Sequence, residues 1–323
     1  MRKLFIVNSK SDSERLEDFR RSVEGFAPDH KADCEFFYTE YAGHAGELVR
    51  ELAASDDKDM IIVACGGDGT VHEVANVLAG TGTAMAVVPM GTGNDFARSI
   101  MDENHRRSCD YCLSELIKDD FSIKPIDLIK VESFDSDGNL IPGSSAWCNN
   151  VASIGLDTAV QLRAKSMVNR HPKSAIVRKT AYAFAAVTSL FGSRSFDFCY
   201  KAVRGDGKDP VSGERRYTLI SVCNGSYYGN GFCPAPQARV NDGLLSVCSV
   251  SDVKLARAVY LIIKYSKGKH IGLKDIDSFE VTSVDVTATS EKRLNGNYDG
   301  EDFSGVSVCF TCVPGALNLV YYG

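Results

Sequence analysis

The chain has 323 residues, 44% hydrophobic and 24% charged, with a net charge of −6 and eleven cysteines. That length suits two domains, and the acidic balance argues against general nucleic-acid binding, which needs a basic surface. The odd cysteine count, spread through strand-like runs without a short disulfide-framework spacing, fits reduced, buried thiols in a cytosol. In chain order, residues 3–7 read as a strand, 13–26 as an amphipathic helix and 34–38 as a second strand. A helix over 45–54, a strand over 60–64, a helix over 70–78 and a strand over 84–88 follow. Such βαβα alternation predicts a parallel sheet with helices on both faces, and ligands beyond the carboxyl ends of its strands.

After Pro125 the pattern changes. Residues 126–132, 146–154, 196–203, 217–224, 244–250, 278–288, 306–311 and 317–322 read as strands, separated by turn signals such as Asn295-Gly296-Asn297. Only 166–191 and 253–267 read as helices. The expected organisation is an α/β domain over 1–125 and a mostly antiparallel β domain over 126–316. Residues 317–323 form a last strand that returns to the first domain. The basic start Met1-Arg2-Lys3 precedes an apolar run of strand size, unlike a signal peptide. The longest apolar helical stretch, 181–190, is far below the ~20 residues needed to span a bilayer. A soluble, cytoplasmic chain is expected.

Two stretches carry chemistry. Cys65-Gly66-Gly67-Asp68-Gly69-Thr70 and Pro89-Met90-Gly91-Thr92-Gly93-Asn94-Asp95 each follow an apolar strand and open into a helical pattern. Glycine-rich turns at strand ends, continued by a helix N-terminus, hold phosphate oxygens. The embedded Asp68 and Asp95 repel a bare phosphate, so a metal ion, or a substrate hydroxyl or amide, is expected between them and the anion. GxxxxGK[ST] is absent, and Phe96 stands where a dinucleotide fingerprint wants a third glycine. The plainer reading is two ordinary tight turns.

Gly66-Gly67-Asp68-Gly69-Thr70, followed by Glu73-Val74-Ala75-Asn76, resembles the nucleotide motif of the diacylglycerol kinase catalytic-domain family. That family includes soluble bacterial lipid kinases and sphingosine-type kinases, with more distant kinship to NAD kinases. Residues 89–98 resemble its second motif, which separates lipid kinases from NAD kinases. Thr39 with Gly43-His44-Ala45 resembles the adenine-side turn. NNVASIGLD (149–157), RVNDGL (239–244) and NYDGE (297–301) resemble segments of its second domain. Near residue 8 the family has Asn-Pro with glycine close behind, whereas this chain has Asn8-Ser9-Lys10-Ser11.

The resemblance implies an ATP site lined by Thr39, Gly66, Gly67, Asp68, Gly69, Thr70, Val71, His72, Gly91, Thr92 and Asn94. Asn8 to Asp12 would form its weaker edge. Asp68 and Asp95 would organise Mg²⁺, water and phosphate, and Asp299 would be the general base on the lipid hydroxyl. Glu301 would stand beside Asp299 at the nucleotide. Arg239, Asp242 and Leu244 would hold a structural cation, with Asp242 as the charged ligand and the others offering carbonyls. Two of these have plainer readings, since Asp-Gly and Asn-Asp-Gly are common turns. The implied activity is ATP- and Mg²⁺-dependent phosphorylation of diacylglycerol or a similar lipid. Other acceptors are a sphingoid base, ceramide, a polyprenol or NAD, and a non-catalytic nucleotide- or lipid-binding module is a further alternative.

Basic residues from Arg163 to Arg194, with no acidic residue from 158 to 196 and apolar neighbours, suit transient contact with an anionic membrane surface. A helix packed on the β domain with its basic side in water is the alternative. The expected location is therefore cytoplasmic and peripheral to the membrane, with oligomeric state open and a homodimer as one option. Cys109 and Cys112 form a CxxC better read as a short surface helix than as zinc ligands. His105, His171 and His270 have no partner at ligand spacing, and Trp147 reads as core.

Overall fold

A computed structural model describes residues 1–11, 13–25, 33–53, 59–102, 108–170, 174, 180–181, 184–185, 188–189, 195–289 and 293–323. The chain forms two compact units. The first comprises Met1–Leu128, Val240–Asp242 and Val313–Gly323; the second comprises Ile129–Arg239 and Gly243–Cys312.

In the first unit, β1 (Arg2–Asn8) lies between β2 (Cys34–Thr39) and β3 (Met60–Gly66), parallel to both. β3 pairs in parallel with β4 (Ala84–Pro89), and β4 with the end of β14 (Ser307–Tyr322), where Asn318 faces Ala84. Every residue of β3 and β4 is buried, the continuous apolar run expected of strands covered on both faces. The helices are α1 (Ser13–Glu24), α2 (His44–Ala53), α3 (Asp68–Leu78), α4 (Asp95–Ile100) and α5 (Cys109–Lys118). Phe5, Phe19, Ile61, Val63, Leu113 and Leu116 share one apolar cluster, in which the rings of Phe5 and Phe36 stack at 4.8 Å. Burying each such side chain stabilises the fold by about 1.5–3 kcal/mol.

The CxxC falls in α5, which Ser108 caps by accepting from Tyr111 N–H at 3.1 Å. It is not simply a surface helix, because Cys112, Leu113 and Leu116 turn into the core. Burial pushes both thiols up to about 12, which disfavours the thiolate that a metal would need.

The second unit is built on antiparallel pairs. β9 (Val211–Cys223) pairs with β7 (Val151–Gly155), β8 (Phe196–Arg204) and β10 (Leu245–Ser251), while β11 (Ile276–Ala288) pairs with β8, β10 and β14. β12 (Leu294–Tyr298) joins β7 to β13 (Glu301–Gly305), and β6 (Ala146–Cys148) pairs with β5 (Phe121–Phe134). Two helices, α6 (Leu156–Arg170) and α7 (Leu255–Tyr265), share an apolar cluster that includes Leu156, Val160, Ala164 and Ala258.

Several elements differ from expectation. Residues 146–154 form two strands, parted at Asn149-Asn150, because those backbone amides turn to a carboxylate instead of a ladder. Residues 306–311 and 317–322 belong to one strand: Gly315 N–H, in the presumed break, donates to buried Asp127 at 3.0 Å and β14 continues. β5 likewise runs through Pro125, and the units divide after Leu128 instead. The helix expected over 166–191 begins at Leu156, directly after Gly155 at φ 120 ends β7. Trp147 is half-buried rather than core, with Lys130 Nζ 4.3 Å from its ring centroid. His270 is fully buried and its Nε2 contacts Pro234 O at 3.0 Å. Lys173, Arg178, Lys179, Arg194, Asp12, His105 and His171 lie outside the described residues.

Candidate active site

The two glycine turns meet backbone to backbone. β3 and β4 are in register through Gly66 and Pro89, and Met90 N–H donates to Gly66 O at 2.8 Å. A Cβ on Gly91 would lie 2.5 Å from Gly67 Cα, and one on Gly66 would overlap the Thr70 side chain. These glycines are therefore required by close approach. Asn94, at φ 51, closes the second turn: its Oδ1 accepts from Gly91 N–H and its Nδ2 donates to Gly91 O, both at 2.9 Å. Its side chain is spent on loop geometry. Thr92 stays exposed beside a cleft of about 460 Å³ bordered by Arg15, Asp18, Ser108 and Asp110.

Asp68 ties the turns together. It opens α3, and its Oδ1 accepts from Phe96 N–H, in the first turn of α4, at 3.1 Å. Asp95 is buried, and its Oδ1 lies 3.9 Å from Arg98 Nε, three residues on in its own helix. Val71 and His72 are buried in the first turns of α3, with His72 against Asn76. Gly69 is exposed and a Cβ there would meet nothing within 4 Å. Asn8 and Thr39 face each other across β1 and β2; Asn8 Nδ2 donates to Thr70 Oγ1 at 3.2 Å, and Ser9 Oγ donates to Thr39 O. The nucleotide residues of this unit thus gather at the carboxyl ends of β1, β2, β3 and β4, where α3 begins; a helix N-terminus is a favourable place for an anion.

In the second unit, Asp299-Gly300 is the two-residue turn between β12 and β13, with φ of 48 and 96 and Tyr298 facing Glu301. This is the left-handed pair of a type I′ hairpin. The carboxylate is also engaged: it accepts from Asn149, Asn150 and Val151 N–H at 2.6, 3.1 and 3.2 Å. Asn224 Nδ2 holds the same segment by donating to Asn149 O at 3.0 Å. Glu301, on this unit, is exposed at the start of β13. Of the cation set, Arg239 and Leu244 belong to the second unit and Asp242 to the first; Arg239 and Asp242 are exposed and Leu244 half-buried.

Residues 2–131 match the diacylglycerol kinase catalytic domain, and residues 150–321 match the YegS C-terminal NAD kinase beta sandwich-like domain. The chain belongs to the diacylglycerol kinase catalytic-domain family, with a YegS-type C-terminal domain. A relative from Mycobacterium tuberculosis (strain ATCC 25618 / H37Rv), named diacylglycerol kinase, is 28% identical over 282 residues, spanning 86% of this chain and 82% of its own. A protein of Xanthomonas campestris pv. campestris (strain 8004), named "Probable lipid kinase YegS-like", is 27% identical over 320 residues, spanning 97% and 94%. The fold is shared with a crystal structure of a diacylglycerol kinase from Bacillus anthracis str. Sterne, at a TM-score of 0.64 and 20% identity, covering 99% of this chain and 96% of that one. The family is one of lipid kinases, as the names of these relatives state.

Within this kinase fold, the residues fit an Mg²⁺ ion carried in with a nucleotide. Mg²⁺ is commonly held by one or two carboxylates plus phosphate oxygens. Asp68 is half-buried at the turn, and no group of three or more His, Cys, Asp or Glu side chains gathers as a cage among the described residues.

Sequence reasoning missed two residues here. Glu73, within the first glycine motif's helix, accepts from Gly43 and Ala45 N–H at 2.9 and 3.1 Å and so holds the turn after β2 against α3. Asp157 ends the NNVASIGLD segment. It is buried beneath an apolar cavity of about 60 Å³ lined by Val160, Leu219, Val250, Leu261, Ile262 and their neighbours. Its Oδ1 accepts from Thr158 N–H at 2.9 Å and its Oδ2 from Tyr228 O–H at 3.3 Å. An acidic residue in the first turn of a helix, just past an apolar strand, is the available signal.

Burial pushes the Asp157 carboxyl up to about 6 from 3.8. Between those values the folded chain holds a proton that the unfolded chain has lost, so this group's contribution to stability falls as pH rises through the window. Asp157→Asn is expected to stabilise the protein at pH 8 by about 1–3 kcal/mol and to change little at pH 4. Urea unfolding at the two pH values tests this; an equal effect at both would refute it.

Proposed function

We propose that this lipid-kinase family member transfers the γ-phosphoryl group of ATP to the hydroxyl of diacylglycerol or a similar amphiphile. The single observation carrying the reading is the pair of glycine turns packed at adjacent strand ends, with Asp68 bridging them through Phe96 N–H at 3.1 Å. Gly66, Gly67, Gly69, Thr70 and Gly91 would cradle the phosphates through backbone, with Thr39 and Asn8 nearer the base. Asn94, Val71 and His72 would act by shaping the turn and helix start. Mg²⁺, when bound, would neutralise phosphate charge at Asp68, with Asp95 held close by through α4.

Asp299 would take the proton from the lipid hydroxyl, a role typically worth ~10²–10⁴ in rate. Its three backbone donors hold the carboxylate in one orientation, which is the preorganisation that such a group needs. Glu301 would stand by on the same hairpin. The structural-cation role of Arg239, Asp242 and Leu244 rests on the family resemblance, with Asp242 as the charged ligand. Phosphoryl transfer asks little covalent chemistry of a protein, so positioning and charge neutralisation would dominate. The apolar cavity beside Asp157 would take part of an acyl chain only after widening, since it is smaller than the ~150 Å³ cavity that admits a ligand the size of benzene.

The test is incubation of the purified protein with radiolabelled ATP, Mg²⁺ and a mixed lipid extract. Label is expected in an organic-soluble phosphorylated lipid. Label recovered solely in water-soluble acceptors or inorganic phosphate would refute the reading.

A further inference from the structure

The helix α7 has two unlike faces. Ala258, Leu261 and Tyr265 are buried and, with Ile262, line the cavity above Asp157. On the opposite side Val259, Tyr260 and Ile263 are 41, 42 and 53% exposed, and Ile271 just beyond is exposed as well. This row lies in a strongly basic setting. Lys254, Arg257, Lys264, Lys267, Lys269 and Lys274 fall between Asp252 and Asp275 with no acidic residue among them, in a chain whose net charge is −6. Arg257 is tied to Asp275 at 3.2 Å. None of the five lysines is in an ion pair among the described residues. The Tyr260 ring sits between two cations, Arg257 Cζ at 5.2 Å and Lys264 Nζ at 5.5 Å from its centroid.

We propose that this outward face of α7, with the basic segment following it, docks on an anionic bilayer. Exposed aliphatic side chains enter the acyl boundary, a tyrosine sits well at headgroup level, and lysines extend their stems along the apolar surface to reach lipid phosphates. Charge argues against a second copy of the chain as the occupant, because a two-fold contact would set lysines against lysines. The inner face of the same helix lines the apolar cavity, so α7 stands between bilayer and cavity. The inference rests on the lipid-kinase reading for its choice of a lipid surface. It is distinct from the expected basic stretch of residues 163–194, in which Lys165 is turned to Gly300 O at 2.7 Å.

Flotation with vesicles of phosphatidylcholine, alone or with about one-third phosphatidylglycerol, tests it on the full chain. The wild type is expected to float with the anionic vesicles only. Lys264→Ala with Lys267→Ala should weaken binding by about 30-fold, since each surface lysine is worth about 1 kcal/mol. Val259→Ser with Ile263→Ser should weaken it comparably; both positions are exposed, and thermal melts would verify folding. Variants that float like the wild type, or equal flotation on neutral vesicles, would overturn the proposal. So would a concentration-dependent dimer lost in the serine variant while flotation persists. A parallel assay on detergent-dispersed lipid separates the two readings. Lost flotation with normal phosphorylation supports the docking face, whereas unchanged flotation with normal phosphorylation overturns it and leaves the kinase reading standing. Lost flotation in a protein that phosphorylates no lipid supports the face and removes the activity.

Discussion

Asp299→Asn is expected to lower turnover by ~10²–10⁴-fold while ATP affinity stays near that of the wild type. The backbone should accept the change, since Asn tolerates the left-handed region that residue 299 occupies at φ 48. The side chain should not be neutral in stability. Three N–H groups converge on the carboxylate. An amide can keep its oxygen toward two of them, but its NH₂ then faces the third donor. Loss of one charge-assisted hydrogen bond costs about 1.5–3 kcal/mol, so unfolding should come at lower urea. Turnover is therefore to be read well below the melting transition, with ATP binding measured by calorimetry on the same sample. The nucleotide turns belong to the other unit, which is why their affinity should survive. A folded variant with turnover within a few-fold of wild type would leave Asp299 as a turn anchor and nothing more.

Gly91→Ala is the second large effect. Its Cβ would lie 2.5 Å from Gly67 Cα and 2.7 Å from Asn94 Oδ1, against backbone and a side chain already locked at both ends. Neither neighbour can rotate away, so the turns must part and the Met90 N–H to Gly66 O bond weaken. Forced overpacking of this kind typically costs about 1–3 kcal/mol, and ATP affinity should fall by at least ~10-fold as the amides lose their common aim. Gly69→Ala is the control for stability: it meets nothing within 4 Å and sits in the first turn of α3, where alanine favours helix. Urea unfolding and ATP titration of both variants decide the matter. Equal behaviour of the two would show that close approach is not what those glycines provide.

Much of the first unit was legible because each signal was local. A wholly apolar run such as Met60–Gly66 announces a strand covered on both faces, and glycine-rich segments after such runs mark turns at strand ends. The errors arose where a distant partner replaced a local one. Pro125 and Gly315 look like breaks, yet Asp127 supplies the acceptor that lets β14 continue past Gly315. Asn149-Asn150 looked like mid-strand, but its amides serve Asp299 far along the chain.

The residue types at the candidate site, and their resemblance to a lipid-kinase family, were set by sequence alone, because glycine, aspartate and their spacing act through backbone geometry within a few residues. Which of those residues present chemistry and which are spent on shape was decided only by tertiary structure. Asn94 closes its own loop, Asp95 turns to Arg98, Asp68 joins two turns, and Asp299 is both hairpin turn and anchored carboxylate. Asp157 under an apolar cavity, and the apolar, basic outer face of α7, depend likewise on what packs against them. Hydrogen-bond partners and burial are properties of neighbours in space, and a linear order of residues does not specify those neighbours.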